Sequence, residues 1–135
     1  MNAENKRKHL EFVQGVIARM ANTSFLLKGW SITVLAGLFA LSTTEAKVSA
    51  LVLAIVLAII FWLLDSFFLW QERMYRLLYN EVRLKHEEQV DFSMDASHFS
   101  SVCKWYKTPF SITLWPFYLS VLGTLVTFLI LKKTA

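Results

Sequence analysis

Charge is scarce in this chain, and cysteine scarcer. Cys103 stands alone, which excludes an internal disulfide and leaves the redox compartment open. Only 18% of the 135 residues are charged, against 56% hydrophobic. A water-soluble fold of this size has too little interior to hide so much apolar side chain. Signatures of catalysis are missing as well. There is no Gly-rich phosphate loop, no Gly-x-Ser-x-Gly turn and no pair of carboxylates within an apolar run. His86, His98 and Cys103, with Glu87 and Glu88 nearby, match no zinc spacing. The expectation is therefore a non-enzyme that uses no metal and no cofactor.

What the chain does have is long apolar runs. Three of them, residues 25–41, 48–70 and 112–131, each approach the roughly 20 residues a helix needs to cross hydrocarbon. The expected fold is an all-α membrane protein with three transmembrane helices, forming a single membrane domain over residues 1–135. Residues Ser42 to Lys47 are too few to join the first two runs as anything but an antiparallel hairpin. The first run follows a long patterned stretch and precedes a second span, so it is not read as a cleaved signal peptide.

Cations set the expected orientation. Lys6, Arg7, Lys8, Arg19 and Lys28 accompany the start of the first run. Arg73, Arg76, Arg83, Lys85, Lys104 and Lys107 lie between the second and third. Only Lys47, Lys132 and Lys133 fall on the opposite side. The positive-inside rule then puts the N-terminus and middle segment in the cytoplasm and the C-terminus on the opposite side of the membrane. Trp30, Trp62, Trp70, Trp105 and Trp115 all fall toward the cytoplasmic ends, where indole prefers the headgroup layer. Formal net charge is +4, but the flanking pattern makes it topological, and nucleic acid is not an expected partner.

The cytoplasmic parts read as helical. Over residues 5–22, Leu10, Val13, Val16, Ile17, Met20 and Ala21 share one arc of an amphipathic helix with a basic opposite face. That arc suits either anionic headgroups or a second cytoplasmic helix. Asn22-Thr23-Ser24 offers a hinge and an N-cap for the first span, and its glycosylation sequon is discounted on the cytoplasmic side. His9 is expected to meet water or headgroups. Residues 71–111 form a cytoplasmic helix and connector. No Gly or Pro ends the second span, so it continues through QERMYRLLYNEVRLKHEE, supported by the i,i+4 pairs Glu72–Arg76 and Glu81–Lys85. Met74, Tyr75, Leu78 and Val82 make an apolar stripe there, for the N-terminal helix or for another subunit or partner. Further on, Asp95 or Ser97 is expected to cap a short helix to Trp105, and Pro109 to interrupt the chain. Lys104-Trp105-Tyr106-Lys107 reads as an anchor at the membrane interface.

Ionisable groups inside apolar spans are costly and therefore informative. Lys28 lies 17 residues before Glu45 and Asp65 lies 20 after it, so the two sit at matched depth on adjacent helices. An intramembrane ion pair explains both. It serves either an ion path or structure alone, with Lys28 snorkelling to the headgroups. Small residues recur on every span: Gly29, Thr33 and Gly37; Ala54 and Ala58; Ser120, Gly123, Thr124 and Thr127. They permit close packing within one subunit or between copies, and the hydroxyl stripe of the third span is the candidate pore lining. Pro116 is expected to kink that span.

The segments HLEFVQGVIARMANTSFLLKGW and LDSFFLWQERMYRLLYNEVR resemble short bacterial multi-span inner-membrane proteins of the anti-phage effector type. The resemblance implies an effector that perturbs the inner membrane. Together with the small faces, the expected function is a homo-oligomer that forms or gates an ion-conducting pore, as a defence or stress effector. The alternative is a membrane anchor or accessory subunit that recruits a soluble partner through its cytoplasmic helices. Expected partners are thus the lipid bilayer, further copies of the chain, and a cytoplasmic protein.

Overall fold

The computed structural model describes residues 2–44 and 48–134, and among these it is all-helical. Helix α1 spans Asn2–Thr44, α2 spans Val48–Leu84 and α3 spans Trp115–Thr134. Short 3-10 turns at Glu87–Gln89, Ser97–Ser101 and Trp105–Phe110 lie between α2 and α3. Each α-helix is long and apolar enough to cross a membrane. Of the most apolar 18-residue stretch in each, only 11%, 22% and 11% is buried by the chain itself. Residues 45–47 of the expected hairpin, Lys47 among them, lie outside the described residues.

The chain divides into two compact units, each drawing on both long helices: Met1–Ser24 with Phe67–Thr108, and Phe25–Ser66 with Pro109–Ala135. In the first, Val13 of α1 packs with Met74, Leu78 and Val82 of α2 and with Val90 and Ala96 of the connector. Leu10, Val13 and Ile17 of the apolar arc of α1 thus pack into this core, while Ala21 of the same arc is exposed. Met74, Leu78 and Val82, 4%, 3% and 1% exposed, are buried in this core. Their spacing of four residues gives α2 one continuous ridge, which α1 and the connector close over. Lys6 donates its ammonium protons to the carbonyls of Arg83 and Lys85 at 3.2 and 2.5 Å, satisfying the C-terminal end of α2. Trp70 ties the connector down by donating to the Cys103 carbonyl at 2.7 Å.

Several local expectations are corrected here. Asn22-Thr23-Ser24 is neither hinge nor cap, because α1 runs through it without a break. The Thr23 hydroxyl instead donates to the Arg19 carbonyl at 2.8 Å, one turn back. Helix α2 ends at Leu84, before the His86-Glu87-Glu88 stretch. The short helix expected up to Trp105 is replaced by two 3-10 turns, and Pro109 lies inside the second of them. Pro116 occupies the first turn of α3, where the amide proton it lacks would have no helical acceptor, so it starts the helix and does not kink it.

In the second unit the core is Leu35 of α1, Leu51, Ala54 and Ala58 of α2, and Leu125 of α3. Ala54 and Ala58 are fully buried; their small side chains let neighbouring backbones approach closely. Lys132 donates to the Ser42 carbonyl near the end of α1, another orphan helix-end acceptor satisfied by a lysine.

Candidate functional site

The second unit buries a polar cluster within its apolar helices. Lys28 Nζ lies 2.6 Å from Asp65 Oδ2, and the Tyr118 hydroxyl donates to the same oxygen at 3.0 Å. Asp65 is fully buried, while the Lys28 side chain keeps 24% of its surface exposed. Such geometry follows from the helices themselves. Lys28 and Asp65 lie at matched depth on neighbouring helices, and Tyr118 enters one turn into α3 from the same end. Trp62, one turn before Asp65, stacks on the Tyr118 ring at 6.1 Å and 8°, and donates to the Pro109 carbonyl at 3.0 Å. It thereby holds the start of α3 against α2. Both groups donate to one carboxylate oxygen, which forms a hydrogen-bonded path from a partly exposed ammonium to a buried phenol. A buried carboxylate demands such donors, because an unpaired charge in an apolar interior costs several kcal/mol, on the order of 3–5.

Tyr118 is the member that sequence reasoning missed. Its signal was available: a phenol in an apolar run, at the depth of two opposite charges, with a hydroxyl that needs a partner. Ser31, also fully buried, is satisfied locally by donating to the Lys28 carbonyl at 2.8 Å.

The small residues divide sharply. Ala54 and Ala58 are inside, whereas Gly29, Thr33, Gly37, Ser120, Gly123, Thr124 and Thr127 are all on the outside of the unit. A Cβ added at Gly29, Gly37 or Gly123 would meet nothing within 4 Å. Ser120 and Thr124 donate to carbonyls four residues back, at 2.5 and 2.9 Å, and Thr33 does the same toward Gly29 at 3.1 Å. Each hydroxyl proton is thus satisfied within its own helix, and the oxygen keeps accepting capacity on the outer face.

In the first unit, Glu81 carries an ion pair with Lys85 at 2.6 Å and faces His98 Nε2 at 3.2 Å. Hydrogen bonds from Lys85 and then His98 hold its carboxyl below the usual carboxylate range, and Lys85 is pushed up in turn by Glu81. Asp95 is also lowered, by hydrogen bonds from Ser97. A depressed folded-state value means the contribution is present above the ordinary carboxylate pKa and is lost as pH falls through the depressed one. Wild type should therefore melt higher than Glu81→Gln at neutral pH, with the gap closing as pH drops below about 4.3. A gap that stays constant through acidification would show that Glu81 acts through packing alone.

Comparison with known protein families, curated proteins and solved structures finds no match to this chain.

Proposed function

We propose that this chain is a multi-pass protein of a bacterial inner membrane that assembles with copies of itself to form or gate an ion-conducting pore. The supporting observation is the division of small residues: one set packs inside the unit, and a second, on α1 and α3, lies uncovered. In lipid, helices associate through close van der Waals fit and hydrogen bonds, so uncovered small faces are the natural contacts between copies. A pore also requires more than one copy. Leu35, Leu51, Ala54, Ala58 and Leu125 pack an apolar core into the second unit, a poor lining for a water-filled path through one copy. Outward-facing Ser120, Thr124 and Thr127 would bring hydroxyl oxygens to a lumen between copies, the kind of lining that replaces part of an ion's hydration. Opening such a path would dissipate ion gradients, as the resemblance to anti-phage effectors implies.

Orientation in this reading follows the cation asymmetry, with the end of α1 periplasmic and the Glu87 region cytoplasmic. In a Cys103→Ala background, Thr43→Cys should react with an impermeant maleimide on intact spheroplasts and Glu87→Cys only after lysis. The reverse pattern would invert the assignment. For the pore itself, purified chain in liposomes should release a potassium gradient, and Thr127→Leu should block release at unchanged particle mass. A monomeric wild type without flux would remove the pore and leave the anchor reading.

A further inference from the structure

His9 was expected to face water or headgroups, yet it is 4% exposed, and its Nε2 has no hydrogen-bond partner among the described residues. A buried polar nitrogen left unpaired is costly, and native proteins seldom keep one without a use. His9 lines a cavity of about 550 Å³ in the first unit, within the range of small-molecule sites. One wall is a stripe of α1 that carries Lys8, His9, Phe12 and Arg19; the other is Phe92 and Met94 of the connector. Phe92 adopts φ 56°, a backbone conformation unfavourable for a bulky residue, and sets its ring edge-on to His9 at 5.7 Å and 82°. The connector around it is held by Ser93 and Asp95 amides donating to the Asp91 and Ser93 side chains at 3.2 and 3.1 Å.

The charges and shape of the cavity specify what would fill it. Lys8 and Arg19 supply cations; among the described residues the one carboxylate paired with either is Glu4, exposed and 3.4 Å from Lys8. Lys8 and Arg19 are separated by 11 residues of helix, about 16 Å along the axis. A bare phosphate cannot reach both. Between them lie apolar Phe12, Phe92 and Met94, and Phe12 is 68% exposed. We infer that this cavity is a binding site for a single-chain anionic amphiphile. Its phosphate or carboxylate head accepts from Lys8 and His9 Nε2, and its apolar body lies along Phe12, Phe92 and Met94 toward Arg19. The head supplies the acceptor that His9 lacks, and the body covers the exposed phenyl. The same chemistry is offered by a soluble single-chain anion or by the headgroup and one acyl chain of an anionic bilayer lipid, and the titration below distinguishes the two sources. This inference is independent of the pore reading.

The test uses the full chain in phosphatidylcholine nanodiscs, titrated calorimetrically with hexyl phosphate, inorganic phosphate and hexanol. Hexyl phosphate should bind saturably, one per chain; the other two, each half of the ligand, should bind at least about tenfold more weakly. Lys8→Glu and Phe12→Ser change exposed side chains, so they leave the fold intact, and each should weaken hexyl phosphate by about tenfold or more. His9→Gln, which keeps a donor, should retain more affinity than His9→Leu. Repeating the titration with phosphatidylglycerol in the disc separates the sources: loss of the hexyl phosphate signal assigns the site to bilayer lipid, and its persistence to a free anion. Hexyl phosphate binding that is absent from both discs, or unchanged by Lys8→Glu and Phe12→Ser, would overturn the inference.

Discussion

Lys28→Met should cost the folded protein about 3–5 kcal/mol, the usual penalty for stranding one member of a buried ion pair. Asp65 would be left fully buried without the ammonium that offsets its charge, although the Tyr118 hydroxyl still donates to it. Asp65→Leu should cost less, because the Lys28 side chain is 24% exposed and its long stem can carry the ammonium to water. Tyr118→Phe removes one hydrogen bond to a charged group and should cost about 1.5–3 kcal/mol. The double exchange Lys28→Met with Asp65→Leu should recover most of the larger loss, since apolar residues of similar volume replace buried ion pairs well. Denaturant unfolding in detergent, followed by tryptophan fluorescence, reads all four variants, because Trp62 stacks on Tyr118 and reports on the cluster directly. If both single charge changes stayed within about 0.5 kcal/mol of wild type, the level of an ordinary surface substitution, the pair would have no structural role. If instead stability fell as expected and ion flux did not change, the cluster would be structural and outside any ion path.

On the proposed assembly, wild-type chain should run as an oligomer and Gly123→Leu as a monomer in native mass measurements on nanodiscs, and Gly37→Leu should do the same wherever α1 shares the contact. Neither should harm the fold of the chain itself. A side chain at these positions meets open space, and replacing glycine within a helix gains up to about 1 kcal/mol of propensity. Ala58→Leu is the contrasting control: it forces three extra carbons into a fully buried site and should destabilise the monomer by about 1–3 kcal/mol. The comparison therefore separates contacts between copies from contacts within one copy. Wild-type particles with the mass of a single chain would end the oligomer and the pore together. An oligomer indifferent to both glycine exchanges would move the contact to another face of the spans.

Much of this architecture was legible along the chain. Three apolar runs of membrane length, no helix breaker after the second, and i,i+4 charge pairs are local features that require only counting. The approach of Lys28 to Asp65 was also legible, because a short connector fixes depth on two helices and two opposite charges there have few alternatives. Less legible was where α1 would stop. Asn22-Thr23-Ser24 carries cap chemistry, but a helix already packed on α2 at Val13 and on Leu51 and Ala54 through Leu35 gains nothing by breaking between them.

What the sequence determined by itself is the three apolar runs and the charges that flank them, since length, hydropathy and charge are properties each segment carries alone. Only the tertiary structure decided which faces those elements cover. It placed the Met74, Leu78 and Val82 ridge under α1 instead of on a surface, and Ala58 inside while Gly37 and Gly123 remained outside. It also brought Tyr118 to Asp65 and buried His9 beside Phe92. Burial of this kind depends on segments far apart in the chain meeting in space, and periodicity along one helix records only that a face exists, not what closes over it.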